Sequence, residues 1–258
     1  MAQQYIKIAN EVVDRSGKVI RSYFRQPLTI IDKSDMSPVT IADRETETAM
    51  REALSRLCPT HSIIGEEFDS HLQESAYTWV MDPIDGTKSF ISGVPLFGTL
   101  LCLNLSGKPI LGVIDMPILG ERWLGARGQG TTCNGQVCRV STTTELSQAR
   151  LFCTEPDMFS LAQAERFQAL EQQVKLRRFG GDCYNYGLLA SGQIDLVVEA
   201  SLQPYDWMAL IPVVEEAGGV ISDWNGNALS MSSDGTVIAA ATRNLHAKAL
   251  MKLKESAR

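Results

Sequence analysis

The sequence has little of what marks a secreted, membrane-spanning or disulfide-rich protein. Its 258 residues contain six cysteines without a CxxC pair, and we expect six reduced thiols, because disulfide frameworks belong to short secreted chains. The longest apolar run, residues 94–105, is interrupted by Gly98, Thr99 and Asn104 and is too short to cross a bilayer. No basic segment followed by an apolar stretch opens the chain, so we expect a cytoplasmic protein with no membrane partner.

Positive charge is also in short supply. Lys and Arg number 24 against 30 Asp and Glu, which gives a formal net charge of −6. This balance argues against a nucleic-acid partner, because nucleic-acid binders cluster a basic surplus. The hydrophobic fraction of 44% and the charged fraction of 21% are ordinary for a globular protein and exclude a disordered or coiled-coil chain.

Hydrophobic periodicity predicts a fold of α/β type. Apolar residues recur at helical spacing over 5–23 and 41–57, two segments that end before prolines. The apolar runs that predict strands in the first half are 62–64, 77–81, 96–105, 110–116 and 121–124. The later pattern predicts strands at 150–154, 174–179, 194–199, 219–223 and 236–241, and helices at 160–173, 183–191, 205–217 and 244–255. The Gly-, Thr- and Ser-rich segment 127–145 is predicted to be irregular and to separate two α/β lobes, 1–145 and 146–258.

The segment W-V-M-D-P-I-D-G-T at 79–87 carries the clearest chemical signal. An apolar strand ends in Asp82, and Pro83 is suited to the first position of a helix, where its missing N–H has no partner to lose. Asp82 and Asp85 can converge on a hard cation, which prefers carboxylate and carbonyl oxygens. The amides of the Gly-Thr pair that follows would attract phosphate at a helix start. The combination suggests metal-assisted phosphoryl chemistry.

Each acidic group also has a purely structural interpretation. The two aspartates of the motif could be helix caps, and Glu66 with Glu67 could be a solvated surface pair. Asp206 precedes an apolar helix and could cap it, while Asp43 stands three residues after Thr40 in the spacing of a capping box. Each group alone is a weak signal, and it is their combined order along the chain that points to a site.

The motifs and their order resemble those of the inositol monophosphatase family of Mg²⁺-dependent, lithium-sensitive phosphatases. The motifs are G-E-E at 65–67, the nine-residue motif at 79–87 and Y-D-W-M-A-L at 205–210, supported by P-V-T-I-A-D at 38–43 and the glycine pair at 218–219. The resemblance covers nearly the whole chain. It implies a layered, sugar-phosphatase-like αβαβα fold with mixed and antiparallel sheets, a phosphate monoester substrate, Mg²⁺ as cofactor and a homodimer.

The resemblance also implies roles for individual residues. The metal ligands would be Glu66, Asp82, the Ile84 carbonyl, Asp85 and Asp206. The catalytic residues would be Asp43 and Thr87, which orient the attacking water, together with Glu66. The residues in contact with substrate would be Glu66, Ile84, Asp85, Gly86, Thr87, Gly181, Asp182, Glu199 and Asp206, with the Gly86 and Thr87 amides on the phosphate.

The substrate itself is suggested by two later segments. G-D-C-Y-N-Y at 181–186 and V-V-E-A-S-L-Q-P-Y-D at 197–206 look like the histidinol-phosphatase branch of the family. Asp182 and Glu199 would suit a cationic amine better than a neutral polyol, by direct charge pairing. We therefore predict hydrolysis of L-histidinol phosphate, a step of histidine biosynthesis. Inositol monophosphate or a nucleotide 3′-phosphate stays an alternative substrate. Asp182 could also cap the helix predicted at 183–191, in place of amine recognition or in addition to it.

Other functions find weaker support in the sequence. The glycine-rich segment 128–133 ends in Cys and is followed by Asn-Gly, which breaks a dinucleotide-binding helix start. No G-x-S-x-G is present, and the histidines at 61, 71 and 246 stand alone, so we expect them in satisfied core or surface positions, with Lys88 also on the surface. A regulatory interaction protein on the same fold is the non-enzymatic alternative. The intact acidic set disfavours it, because clustered like charges are unfavourable without a cation.

Overall fold

The structure, a computed structural model, describes residues 2–27, 29–32 and 38–255. The outer ends of the two predicted lobes, residue 1 and residues 256–258, lie outside the described residues. Within the described ranges, no helix combines the length and apolar character needed to cross a membrane. All six cysteines are free thiols, as predicted.

Two long helices form the outer layer of the first half. They are α1 (Ala2–Tyr23) and α2 (Ile41–Leu57), joined through a small antiparallel pair, β1 (Ile30–Asp32) and β2 (Pro38–Thr40). Thr40 caps α2, and Asp43 completes the predicted capping box. The apolar faces of both helices, including Val12 and Met50, pack on one face of the first sheet.

The first sheet has seven strands in sequential order. The elements of this half are β3 (Ser62–Gly65), β4 (Tyr77–Asp85), α3 (Thr87–Ile91), β5 (Gly98–Leu105), β6 (Lys108–Met116), β7 (Glu121–Ala126), β8 (Gly130–Cys133) and β9 (Gln136–Cys138). Among the pairings of these described strands, β3–β4 is parallel and the others are antiparallel. Because strand side chains alternate between faces, Trp79 and Met81 meet α1 and α2, whereas Val80 joins the core on the other face.

The second sheet has five strands in the order β11-β10-β12-β14-β13. The elements are β10 (Arg150–Cys153), α4 (Leu161–Glu171), β11 (Leu176–Phe179), α5 (Tyr184–Ala190), β12 (Leu196–Glu199), α6 (Pro204–Trp207), α7 (Leu210–Glu216), β13 (Val220–Ser222), β14 (Val237–Ala240) and α8 (Arg243–Glu255). The β11–β10–β12 pairings are parallel and the others antiparallel. Helices α5–α7 lie between the two sheets, and α4 and α8 cover the outer face.

The layers therefore run helix, sheet, helix, sheet, helix, which confirms the predicted αβαβα fold with mixed sheets. The chain passes from the first sheet to the second between Cys138 and Arg150. One buried cluster joins both sheets across the central helices. The division into lobes at residue 145 stays a prediction.

The predicted elements need three corrections. The segment 127–145 is not all irregular, because β8 and β9 add a hairpin to the first sheet. Its turn, Asn134-Gly135, has φ of 48° and 80°, the left-handed pair that a tight hairpin requires. The helix predicted at 205–217 is split into α6 and α7, since Pro212 lacks the N–H that would bond to Met208 one turn earlier.

The third correction concerns the signature motif. Pro83 lies inside β4 and does not start a helix. The helix begins later, at Thr87, after Gly86 has turned the chain with φ of 91°. A side chain at this position would be strained in the left-handed region, which glycine adopts freely.

Candidate active site

A cleft of about 440 Å³ opens between the carboxyl end of β4 and the carboxyl ends of β10, β11 and β12. Residues from both halves of the chain line it. The predicted site residues among them are Glu66, Asp85, Gly86, Thr87, Asp182, Glu199 and Asp206. Glu66 and Asp206, 140 positions apart in sequence, thus face one cavity, and ligand sites commonly form between packed layers in this way.

Three carboxylates converge at the base of this cleft. One oxygen from each of Asp82, Asp85 and Asp206 lies within 4.8 Å of the others. Two residues three apart in a regular strand would face opposite sides of the sheet. The pairing of β4 with β5 shifts register between Asp82 and Asp85, and such an irregularity re-aims side chains. Asp206 comes from the first turn of α6, where its carboxylate accepts the Gln203 N–H at 2.6 Å.

Burial and mutual repulsion raise the pKa values of these carboxyl groups. Removal from bulk water raises the pKa of Asp82 well above its ordinary value, and the charges of Glu66, Asp85 and Asp206 raise it further. Burial likewise raises the pKa of Asp85, with Asp182 and Asp206 adding to it, and raises that of Asp206 to about 7. A bound cation would favour the charged forms. Clustered carboxylate oxygens are also the donors that Mg²⁺ prefers, so the residues present fit a hard divalent cation.

Glu66 and Ile84 lie beside this cluster. Glu66 lines the cleft and is close enough to Asp82 for its charge to affect that pKa. Ile84 is 1% exposed, and its N–H donates to Asp82 Oδ1 at 2.9 Å. Its carbonyl accepts the Thr87 hydroxyl at 3.2 Å. The motif therefore folds back on itself so that its carboxylates, carbonyl and hydroxyl share one corner.

Asp43 performs the predicted capping role and also reaches the site. Its Oδ2 accepts the Thr40 N–H at 2.8 Å and the Thr40 hydroxyl at 2.7 Å. Its other oxygen, Oδ1, accepts the Thr87 hydroxyl at 3.3 Å. Burial raises the pKa of this 1% exposed carboxyl, and the Thr40 hydrogen bonds oppose the rise. The two interpretations of Asp43 are thus compatible, with one oxygen for each.

Gly86 stands at a close approach between the two halves of the chain. A Cβ placed on it would lie 2.9 Å from Asp182 Cγ, so a side chain there would have to displace Asp182. The helix that follows begins at Thr87, and the amides of a first turn need partners from outside the helix. The proposed phosphate-binding amides and Asp182 are therefore neighbours in space.

Asp182 does not cap α5. The residue before that helix is Cys183, and no side chain caps it, so the capping alternative is wrong. The Asp182 carboxylate instead accepts the Ser89 hydroxyl of α3 at 3.2 Å. Burial and the nearby Glu199 raise its pKa to about 7.

The segment that presents Asp182 has an unusual backbone. Gly180, Gly181 and Asp182 follow one another with positive φ, at 91°, 120° and 47°. A Cβ on Gly181 would lie 2.3 Å from Asn185 Oδ1, so α5 packs directly against this glycine. Gly181 is buried and is not among the residues that line the cleft. Its place in the structure is in the turn.

Glu199 ends β12 and is 2% exposed. It accepts the Thr154 hydroxyl at 2.5 Å, the Thr154 N–H at 3.1 Å and the Tyr186 hydroxyl at 2.7 Å. Burial raises its pKa, and these hydrogen bonds oppose the rise. Tyr186 is a core residue that also positions this acid, whereas Tyr184 is partly buried against Trp123.

Two contacts across the cleft were not predicted from the sequence. Lys88 is largely exposed, as expected, but its Nζ pairs with Glu155 Oε1 at 2.5 Å from the other side of the cleft. The Cys183 N–H donates to Asp85 Oδ2 at 2.6 Å. Neither carries a sequence signal, because each joins segments far apart in the chain.

The histidines occupy core and surface positions, as expected, and none of them lines the cleft. His61 and His246 are buried with hydrogen-bond partners, Trp79 Nε1 at 3.2 Å and Ser222 Oγ at 2.8 Å. His71 is exposed beside Gln73.

The chain is similar in sequence and structure to known phosphatases. The profile of the Inositol monophosphatase family matches residues 1–258. The protein named "Bifunctional phosphatase IMPL2, chloroplastic" from Arabidopsis thaliana is 46% identical over 97% of this chain and 75% of its own length. The histidinol-phosphatase of Chlorobaculum parvum is 39% identical over 93% and 94% of the two chains. A solved structure of an inositol monophosphatase from Zymomonas mobilis superposes with a TM-score of 0.90 at 42% identity, over 98% and 99% of the two chains.

Proposed function

This chain belongs to the inositol monophosphatase family of phosphatases, and from that premise we propose that it is a Mg²⁺-dependent phosphomonoesterase acting on L-histidinol phosphate. Its products would be L-histidinol and phosphate, a step of histidine biosynthesis. The observation that carries the proposal is the position of Asp182, whose carboxylate carbon lies 2.9 Å from where a Cβ on Gly86 would be. The homodimer and the cytoplasmic location expected from the sequence stay predictions.

The chemistry of the substrate explains why that position matters. In histidinol phosphate the amine is attached to the carbon next to the CH₂–O–P group. An acid beside the phosphate-binding amides can therefore reach the amine while the ester is in place. Asp182 and the nearby Glu199 would pair with the ammonium, whereas inositol offers only neutral hydroxyls there. Charge-assisted hydrogen bonds are roughly twice as strong as neutral ones.

The contacts described above support the following roles for the chain's own residues. Glu66, Asp82, Asp85, Asp206 and the Ile84 carbonyl would hold Mg²⁺, which when bound lowers the pKa of water and neutralises phosphate charge.

Thr87 donates its only hydroxyl proton to Asp43 or to the Ile84 carbonyl. The lone pairs of that oxygen would then accept a hydrogen bond from the attacking water. Asp43 fixes the direction of that hydroxyl and so orients the water.

Metal removal tests the phosphatase assignment. We expect phosphate release to stop in excess EDTA and to return when Mg²⁺ is added, because four carboxylates beside a phosphate repel it without a cation. The measurement is phosphate release from histidinol phosphate after dialysis. Full turnover in excess EDTA would contradict the metal mechanism, and no phosphate release with Mg²⁺ on any ester would favour the non-enzymatic alternative.

Asp182→Asn tests the substrate assignment. Losing a charge-assisted hydrogen bond costs roughly 1.5–3 kcal/mol, so we expect KM for histidinol phosphate to rise about ten- to a hundredfold, at roughly 1.4 kcal/mol per decade. Asparagine tolerates the left-handed backbone that Asp182 adopts, so the turn should persist. KM for p-nitrophenyl phosphate, which carries no amine, should hardly change.

The matched control is Asp157→Asn, which removes the same charge from an exposed position and should leave both Michaelis constants unchanged. Equal rises for both substrates in Asp182→Asn, with a lowered melting temperature, would indicate a structural role for Asp182 and contradict amine recognition.

Inositol monophosphate is the second candidate substrate. The observation in its favour is the 42% identity to a structure described as an inositol monophosphatase, beside 39% to a histidinol-phosphatase. Comparing kcat/KM for histidinol phosphate, inositol 1-phosphate and adenosine 3′,5′-bisphosphate decides between the alternatives. A preference for inositol 1-phosphate would overturn the histidinol assignment and leave the phosphatase class intact.

A further inference from the structure

Glu47 is a charged residue whose side chain is completely buried. It lies on α2, one turn after Asp43, and its side chain is 0% exposed. A buried carboxylate is unfavourable unless charges and hydrogen bonds satisfy it. Here its Oε1 accepts Arg51 Nε at 2.7 Å, and its Oε2 accepts the backbone N–H of Glu67 at 2.7 Å. Its two oxygens thus join a helix to a loop of the candidate site.

The contacts of this ion pair surround Glu66 on both sides. Before it, a Cβ on Gly65 would lie 2.1 Å from Glu47 Oε1, so the carboxylate packs against the bare α-carbon. After it, Glu47 binds the Glu67 N–H, and Arg51 Nη2 donates to the Phe68 carbonyl at 3.1 Å. Two side chains of α2 therefore contact residues 65, 67 and 68, on both sides of Glu66.

The sheet itself gives this segment little support. β3 is an edge strand of the first sheet and ends at Gly65, so the ladder to β4 stops just before Glu66. A side chain that must converge with others within a few tenths of an ångström needs a fixed backbone. The Glu47–Arg51 pair supplies that fixation where the strand pairing ends.

From these contacts we infer that Glu47 is a positioning residue, which with Arg51 holds the segment 65–68 so that Glu66 faces the carboxylate cluster. This inference rests on the proposed role of Glu66 as a metal ligand. Residues four apart lie on one helix face, so α2 serves the site twice. Asp43 reaches Thr87, and Glu47 reaches the neighbours of Glu66.

The test is the Mg²⁺ affinity of Glu47→Gln, measured by titration calorimetry without substrate. Glutamine keeps the size of the side chain, but its NH₂ group must face either Arg51 or the Glu67 N–H, both of which are donors. Loss of groups that orient a metal ligand typically weakens affinity 10- to 100-fold, and we expect a loss in that range. Glu52→Gln is the matched control, because it makes the same change at an exposed position on the same helix and should bind Mg²⁺ normally.

Arg51→Lys tests the same inference in a second way. Arg51→Lys keeps the charge beside Glu47 but cannot bind Glu47 and the Phe68 carbonyl with one planar fork, so we expect a smaller loss of Mg²⁺ affinity in a protein that folds even if Glu47→Gln does not. A lowered melting temperature with normal Mg²⁺ affinity in both variants would overturn the inference and show a merely structural ion pair.

Glu66→Gln separates this inference from the proposed function. If Glu66→Gln weakens Mg²⁺ binding and the Glu47 and Arg51 variants do not, Glu66 is a ligand and the positioning role is wrong. If Glu66→Gln also binds Mg²⁺ normally, the proposed ligand role of Glu66 fails, and the inference fails with it.

Discussion

Asp85→Asn is expected to reduce kcat by roughly a thousandfold or more while the protein stays folded. Metal ions contribute several kcal/mol to transition-state stabilisation, and each 1.4 kcal/mol is about tenfold in rate. Asparagine keeps the shape of the side chain and one oxygen that can still accept the Cys183 N–H. What it loses is the charge that Asp85 would offer to the cation. The measurement is kcat for histidinol phosphate at saturating Mg²⁺.

The stability of the same variant should not fall with its activity. Burial and the charges of Asp182 and Asp206 raise the pKa of Asp85, so without a cation its ionised form is less favourable than it would be in water. Removing that charge should leave the melting temperature in EDTA unchanged or higher. Asp69→Asn, the same change at an exposed position, should alter neither quantity. Most of the activity surviving in Asp85→Asn would exclude the proposed ligand role.

Asp43→Asn is expected to lower the single-turnover rate by about a hundredfold or more, with Mg²⁺ affinity nearly intact. A positioned acid–base group typically contributes 10²–10⁴-fold, and the only described contact of Asp43 with the site is through Thr87. An asparagine that turns its NH₂ toward Thr87 can no longer accept the Thr87 hydroxyl proton, so the hydrogen bond that we propose orients the water is reversed. Rapid-quench kinetics and calorimetric Mg²⁺ titration measure the two quantities.

Capping must be separated from catalysis in this variant. Asp43 also closes the capping box of α2, and loss of a cap costs about 1 kcal/mol. Ser160→Ala is the control, because Ser160 caps α4 through an equivalent box and does not line the cleft. It should lower the melting temperature by a similar amount and leave the rate unchanged. A large loss of Mg²⁺ affinity in Asp43→Asn would instead make Asp43 a metal ligand.

Much of the fold could be predicted from short-range patterns in the sequence. The apolar periodicity of α1 and α2, the capping box at Thr40 and Asp43, and the alternation of strands and helices after residue 145 depend on neighbours within a few turns. Such features can be predicted from sequence because their energetics are local. The order of the acidic motifs added the family and, through it, the layered fold.

Two segments adopt a structure that their own residues do not favour. β8 and β9 have loop-like composition, and they form strands because β7 offers an edge to pair with. Pro83 suits a helix start by its own preferences, yet pairing of β4 with β5 on both sides of it keeps the segment extended. In both cases a tertiary contact overrode an intrinsic propensity.

The sequence by itself therefore determined the layered fold, the family and the identity of the candidate residues, because motifs and periodicities are written in neighbouring positions. Only the tertiary structure decided how those residues meet. It brought Asp206 close to Asp82 and directed the Asp182 carboxylate to the Ser89 hydroxyl instead of to the start of α5. It also placed the Glu47 carboxylate against the Glu67 N–H, next to Glu66. The physical reason is that hydrogen bonds and charge pairs act over a few ångströms of space, and the fold alone sets which distant residues come within that range.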